Sequence, residues 1–99
     1  MASLYVAEFT LHLIGNIQGM QVALAPAKTH QKLTITGTTG QSNAFDGATG
    51  IIRVHTDAIC SIEIGADPTA TTSTMRLAAN QTEYFGVKPG DKIAVISNT

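Results

Sequence analysis

Apolar and polar residues trade places along most of this chain with a period of two, and short polar runs interrupt the alternation. In "SLYVAEFTLHLIG", Tyr5, Ala7, Phe9, Leu11 and Leu13 share one face, while Glu8, Thr10 and His12 lie on the other. Side chains of an extended chain point alternately to opposite sides, so the stretch predicts a half-buried strand. Its β-branched and aromatic content, and the Gly15-Asn16 that follows, favour a strand over a helix. "GNIQG" then predicts a turn. "MQVALAPA" aligns Met20, Val22 and Leu24, with Pro26 ending or edging the strand because proline cannot donate to a ladder. "QKLTITG" points Leu33 and Ile35 inward and Thr34 and Thr36 outward.

A long loop, "TTGQSNAFDGATG", separates the halves and carries one large apolar residue, Phe45, which needs somewhere to hide. "IIRVHTD" and "AICSIEIG" predict two strands joined across Thr56-Asp57. "ADPTATTST" predicts a surface connection with a turn at Asp67-Pro68. "TMRLAA" alternates through Met75, Leu77 and Ala79, and Asn80-Gln81 turns the chain into "TEYFGV". "KPGD" places Pro89 and Gly90 where a type II turn wants them, since proline fixes its own φ and glycine tolerates a positive one. "KIAVIS" ends the pattern, so residues 76 to 97 predict a three-strand meander. With about eight short antiparallel strands and no helical period, the fold class is all-β: one small β-sandwich or jelly-roll-like barrel. Residues 1–99 form a single domain, with 1–5 as a candidate N-terminal arm.

Composition sharpens the picture in one respect. Only 13% of residues are charged, against about 25% in an ordinary soluble domain. A surface so poor in charge suggests cover by a partner, and a homo-oligomer, dimer or trimer, is the natural expectation. The formal net charge is −1 and the cations are scattered along the sequence, which predicts no direct nucleic-acid binding. No run of about 18 apolar residues suggests a membrane span, and the opening residues lack the pattern of a secretory signal. Neither a disulfide framework nor a cysteine zinc cluster can be built on Cys60 alone.

Candidate chemistry changes little. His12, His30 and His55 are isolated from one another, without the close spacing of zinc ligands. There is no Gly-x-Ser-x-Gly elbow and no phosphate loop. Asp46, Asp57, Asp67 and Asp91 all fall where turns want aspartate. No catalytic residue, cofactor or metal is therefore expected, and the chain reads as a non-enzyme. A carbohydrate- or ligand-binding sandwich would want aromatic platforms, yet there is no Trp and only two Tyr.

The run "IIRVHTDAICSIEIGADPTATTSTMRLAANQTEYFGVKPGDKIAVIS", residues 51 to 97, resembles small structural proteins of tailed bacteriophages and prophages. The strand ending in "IG", the "DPTAT" loop, the "LAAN" corner, "EYFGV" and the "PGDKIAV" ending carry the likeness; "MASLYVAEF" and "SNAF" are similar less specifically. The resemblance implies a virion protein of the capsid exterior, present in host cytoplasm during assembly. It further implies a decoration or cement protein binding the major capsid protein lattice; the alternative is a tail, connector or head-fibre base component. Candidate contacts are Leu4 and Tyr5 in the arm, Phe45 in the long loop, and the turn Asp67, Pro68 and Thr69. The competing reading of Tyr5 places it in the core of its own domain, and that of Phe45 as a plug for its own barrel end.

Overall fold

In a computed structural model, the structure describes residues 2–14 and 20–98, and the side chains of these except 11–14 and 20–26. The expected turn "GNIQG" and the facing of Leu11, His12, Leu13, Met20, Val22 and Leu24 lie outside what is described. Eight strands follow in order: β1 Ser3–Ile14, β2 Met20–Thr34, β3 Gly40–Gln41, β4 Ile51–Thr56, β5 Cys60–Gly65, β6 Met75–Leu77, β7 Thr82–Gly86 and β8 Lys92–Ser97. They form two four-stranded antiparallel sheets, β2-β1-β4-β7 and β3-β8-β5-β6, the two layers of a β-sandwich.

The winding follows a rule. β5 pairs with β6, β4 with β7 and β3 with β8, so each pair encloses the one before it, as in a long hairpin rolled into two layers. That is the winding of a jelly roll. The next pair outward would join β2 to a strand following β8. Here β1 fills that place, running antiparallel to β2. The expected meander of β6, β7 and β8 is therefore corrected: β7 pairs with β4 in one sheet, while β6 and β8 flank β5 in the other. Alternation and turn residues reveal a strand and its end, but not which layer the next strand enters.

The turns themselves behave as expected. Asn80 has φ 62° and Gly90 φ 86°, the left-handed values at which asparagine and glycine are favoured. Asp91 N–H closes the Lys88-Pro89-Gly90-Asp91 turn on the Lys88 carbonyl at 3.1 Å. Pro26 does not end a strand but sits within β2, which is an edge strand. Between Glu8 and Thr10 the register shifts, β2 running from Thr29 to Leu24 across the same interval. Proline inside such a bulge removes no ladder bond.

The core lies between the sheets and includes Leu4, Val6, Leu33, Ile35, Phe45, Ile52, Val54, Cys60, Ile62, Leu77, Ile93 and Val95. Leu33 and Ile35 point inward as their alternation predicts. β1 faces the opposite way from its expectation. Leu4, Val6 and Glu8 are buried, and Tyr5 is exposed. Both parities of "LYVAEF" carry apolar residues, so the pattern alone was ambiguous. The buried carboxyl of Glu8 is kept by three partners: Asp46 N–H (2.8 Å) and the Thr49 hydroxyl (2.9 Å) donate to Oε1, and Gln31 Nε2 donates to Oε2 at 2.8 Å. The loop 42–50 is thereby tied to β1. Residues 2–5 are no free arm, because Ala2 accepts a bond from Ile35 N–H and Leu4 is fully enclosed.

A different element reaches out. β4 pairs with β1 only from Leu4 to Phe9, whereas β1 and β2 continue to pair from Thr10 to Ile14 against Leu24 to Met20. Among the described residues this end of β1 and β2 is a two-stranded ribbon, and the molecule measures 45 × 24 × 23 Å.

Candidate docking face

The outer faces of the two sheets differ. On β3-β8-β5-β6, Ser61 and Ala94 point away from the core by register, yet both are fully buried. Their cover is the connection 66–74. Gln41 Nε2 on β3 donates to Asp67 Oδ1 at 2.8 Å and to the Pro68 carbonyl at 2.7 Å, and Ala70 N–H donates to Thr39 Oγ1 at 3.0 Å. β3 and β6 are opposite edges of this sheet. A chain bonded to Thr39 and Gln41 before it enters β6 must cross the sheet. Asn98 Nδ2 holds the crossing at its middle, donating to Ser61 Oγ at 2.7 Å and to the Thr72 carbonyl at 3.3 Å. Pro68 and Ala70 are buried beneath it.

The outer face of β2-β1-β4-β7 has no such cover among the described residues. Its outward positions form rows across the strands: Lys32, Tyr5, His55 and Thr82, then His30, Ala7, Arg53 and Tyr84. Tyr5 is 40% and Tyr84 56% exposed. Lys32 Nζ stands 5.4 Å from the Tyr5 ring centre, within cation–π range. The Tyr5 and His55 rings are 6.4 Å apart, and His55 Nδ1 lies 2.8 Å from Thr82 Oγ1. Tyr5, Ala7, His30, Lys32, Arg53 and His55 line a shallow depression of about 430 Å³. Lys28 is exposed on the same edge strand. Neither row holds a carboxyl group. The nearest in register is Asp57, just past β4, whose N–H bonds the Ser3 carbonyl.

The expected contact residues do not come together. Tyr5 alone lies on the bare face. Leu4 and Phe45 are core residues, 0% and 3% exposed, which removes them as surface contacts. Phe45 fills its own sandwich, its N–H bonded to the Asp91 carbonyl and its carbonyl accepting from Gly90 N–H. Asp67 and Thr69 are exposed and Pro68 buried on the covered sheet, on the other side of the molecule. Conversely, three of the six lysines and arginines that looked scattered in sequence, Lys28, Lys32 and Arg53, belong to this sheet, with His30 and His55 beside them. The available signal was their parity: 30 and 32 share one face of a strand, and so do 53 and 55. What no local pattern supplies is β1 lying between those strands.

The face offers charge and aromatic surface. Among the described residues no group of three or more His, Cys, Asp or Glu could hold a metal ion. Cys60 is buried, and desolvation pushes its thiol up from the ordinary value against the opposing effect of the Thr56 hydroxyl. Comparison with family models, curated proteins and solved structures finds no match to this chain.

Proposed function

We propose that the chain is a non-enzymatic structural protein of a tailed-phage virion, which associates with itself and decorates the capsid exterior by binding the major capsid protein. The likeness of residues 51–97 to small phage structural proteins supplies the setting. The observation that supports a docking role is the ribbon. A two-stranded ribbon is at best marginally stable alone in water, and among the described residues no further strand pairs with its outer edges. Residues 9–27 contain no Asp, Glu, Lys or Arg, so a neighbouring chain can cover them without desolvating a formal charge. Strand addition to a neighbour's sheet satisfies such edges, and lattice repetition multiplies modest contacts.

Quantitative mass spectrometry of virions purified from the source phage tests this reading. Copies comparable with the shell protein support decoration. A handful per particle moves the chain to a tail, connector or head-fibre base, and none removes the virion reading altogether.

A further inference from the structure

We propose that the outer face of the β2-β1-β4-β7 sheet docks a carboxylate-rich protein segment. This deepens the docking role above by giving the partner's chemistry, although the face's own chemistry does not depend on the phage setting. Arg53 stands on β4, an interior strand flanked by β1 and β7, with Ala7 beside it leaving room for approach. A guanidinium there offers a planar fork matched to a carboxylate. Lys32 supplies a second charge from the β2 edge, above the Tyr5 ring. Tyr5 and Tyr84 add broad amphipathic contact at low entropic cost. The two rows are one strand repeat apart, about 7 Å, and four strands span about 15 Å. That footprint suits three or four residues of an extended acidic segment.

Charge complementarity decides among occupants. A second copy packed symmetrically on this face would bring its Arg53 and Lys32 onto two rows that hold no carboxyl group to pair with them, and like charges brought together are unfavourable. Nucleic acid presents a negative charge about every 1.7 Å of duplex and asks for a longer cationic track than two rows, one of them bordered by Asp57. A short acidic segment asks for no more than the face provides.

The test is an NMR titration of the full ¹⁵N-labelled chain with three probes: hexaglutamate, hexaglutamine and hexathymidylate. Hexaglutamate is expected to move amides at 5–7, 30–32, 53–55 and 84. Hexaglutamine is expected to move none of them, and hexathymidylate to bind more weakly than hexaglutamate. Raising salt from about 50 to about 300 mM should weaken binding severalfold, as screening of exposed charges requires. The surface variant K32Q/R53Q should bind hexaglutamate about tenfold more weakly, with its other resonances unmoved as the check on folding. Equal response to hexaglutamine, shifts centred on Lys88 and Lys92, tighter binding of hexathymidylate, or an unaffected double variant would each overturn the proposal. Virions lacking the chain would remove the phage setting and leave these shifts in place. A silent titration would remove the acidic partner and leave the copy number standing.

Discussion

Glu8 shows how one side chain can set the facing of a strand. Its carboxyl is fully enclosed, and both its oxygens accept bonds from a loop and a strand remote in sequence. Replacing it with alanine strands the Asp46 N–H and the buried Thr49 hydroxyl, each costing about 1–3 kcal/mol when left unpaired. Glu8→Ala should therefore lower unfolding free energy in urea by about 3 kcal/mol, with Glu8→Gln, which keeps one acceptor, losing about 1 kcal/mol. A loss under about 0.5 kcal/mol for the alanine variant would mean that water replaces the carboxyl at no cost, against its complete burial. Cys60 makes a pH-dependent contribution of known sign. Its thiol is pushed above the ordinary value by burial, so in the native state it holds its proton to higher pH than in the unfolded chain. Stability from such a group is fully present below the unfolded pKa and is lost as pH rises through the folded one. The stability difference between the natural chain and Cys60→Ala should stay constant up to about pH 8 and shrink above about 8.5, where unfolded thiols ionise. Urea unfolding of both proteins at each pH checks this, and a difference that grows with pH contradicts it.

Among the elements, the ribbon is the one to which self-association is proposed to belong, and the connection 66–74 covers one face of the sandwich. Replacing residues 11–24 with a short turn removes strand that, among the described residues, pairs with neither β4 nor the opposite sheet. The shortened protein should keep its cooperative urea transition and lose self-association, read as a fall in mass by light scattering. An unchanged mass would place the oligomer contact elsewhere. Most strands were legible, but not all: β3, Gly40–Gln41, lies inside the stretch expected as a loop, and two expected strands are one in β2. "QKLTITG" alternated correctly because only one parity is apolar, and "KPGD" carried its turn in two residues whose φ preferences are intrinsic. The facing of β1 was not legible, since Leu4 and Val6 compete with Tyr5, Ala7 and Phe9 on equal terms. Long-range bonds from Gln31, Asp46 and Thr49 to Glu8 favour the observed facing. The covering role of "ADPTATTST" was equally hidden, because its anchors Thr39, Gln41 and Asn98 are distant in the chain. The bare cationic face required β1 to bring β2 and β4 within reach of each other, which is a fact of pairing and not of pattern.

At the scale of the whole molecule, the winding implies an experiment on connectivity. The pairs β5·β6, β4·β7 and β3·β8 close a jelly roll whose outermost partner for β2 comes from the start of the chain. The two ends of the described fold are neighbours, for Ala2 accepts a bond from Ile35 N–H (3.0 Å) and the next residue, Thr36, accepts one from Ser97 N–H (2.8 Å). Consecutive Cα atoms are about 3.8 Å apart, which sets the gap between Ala2 and Ser97 on the order of 10 Å, within reach of a linker of about five Gly and Ser residues. A permuted chain that starts at Met20, runs to Asn98, crosses that linker and ends with Ala2 to Ile14 retains every strand pair and moves β1 to the last position. It should fold to the same sandwich, with the amide spectrum of residues 33–97 preserved. Refolding should be slower than in the natural chain, because the β1·β2 contact changes from local to the most distant in sequence, and loop closure then precedes its reward. A preserved spectrum with slower refolding identifies the continuity of β1 with β2 in sequence as a kinetic aid to a fold that the core and pairing specify without it. A chain that fails to unfold cooperatively would instead make the β1–β2 connection part of what holds the two sheets together.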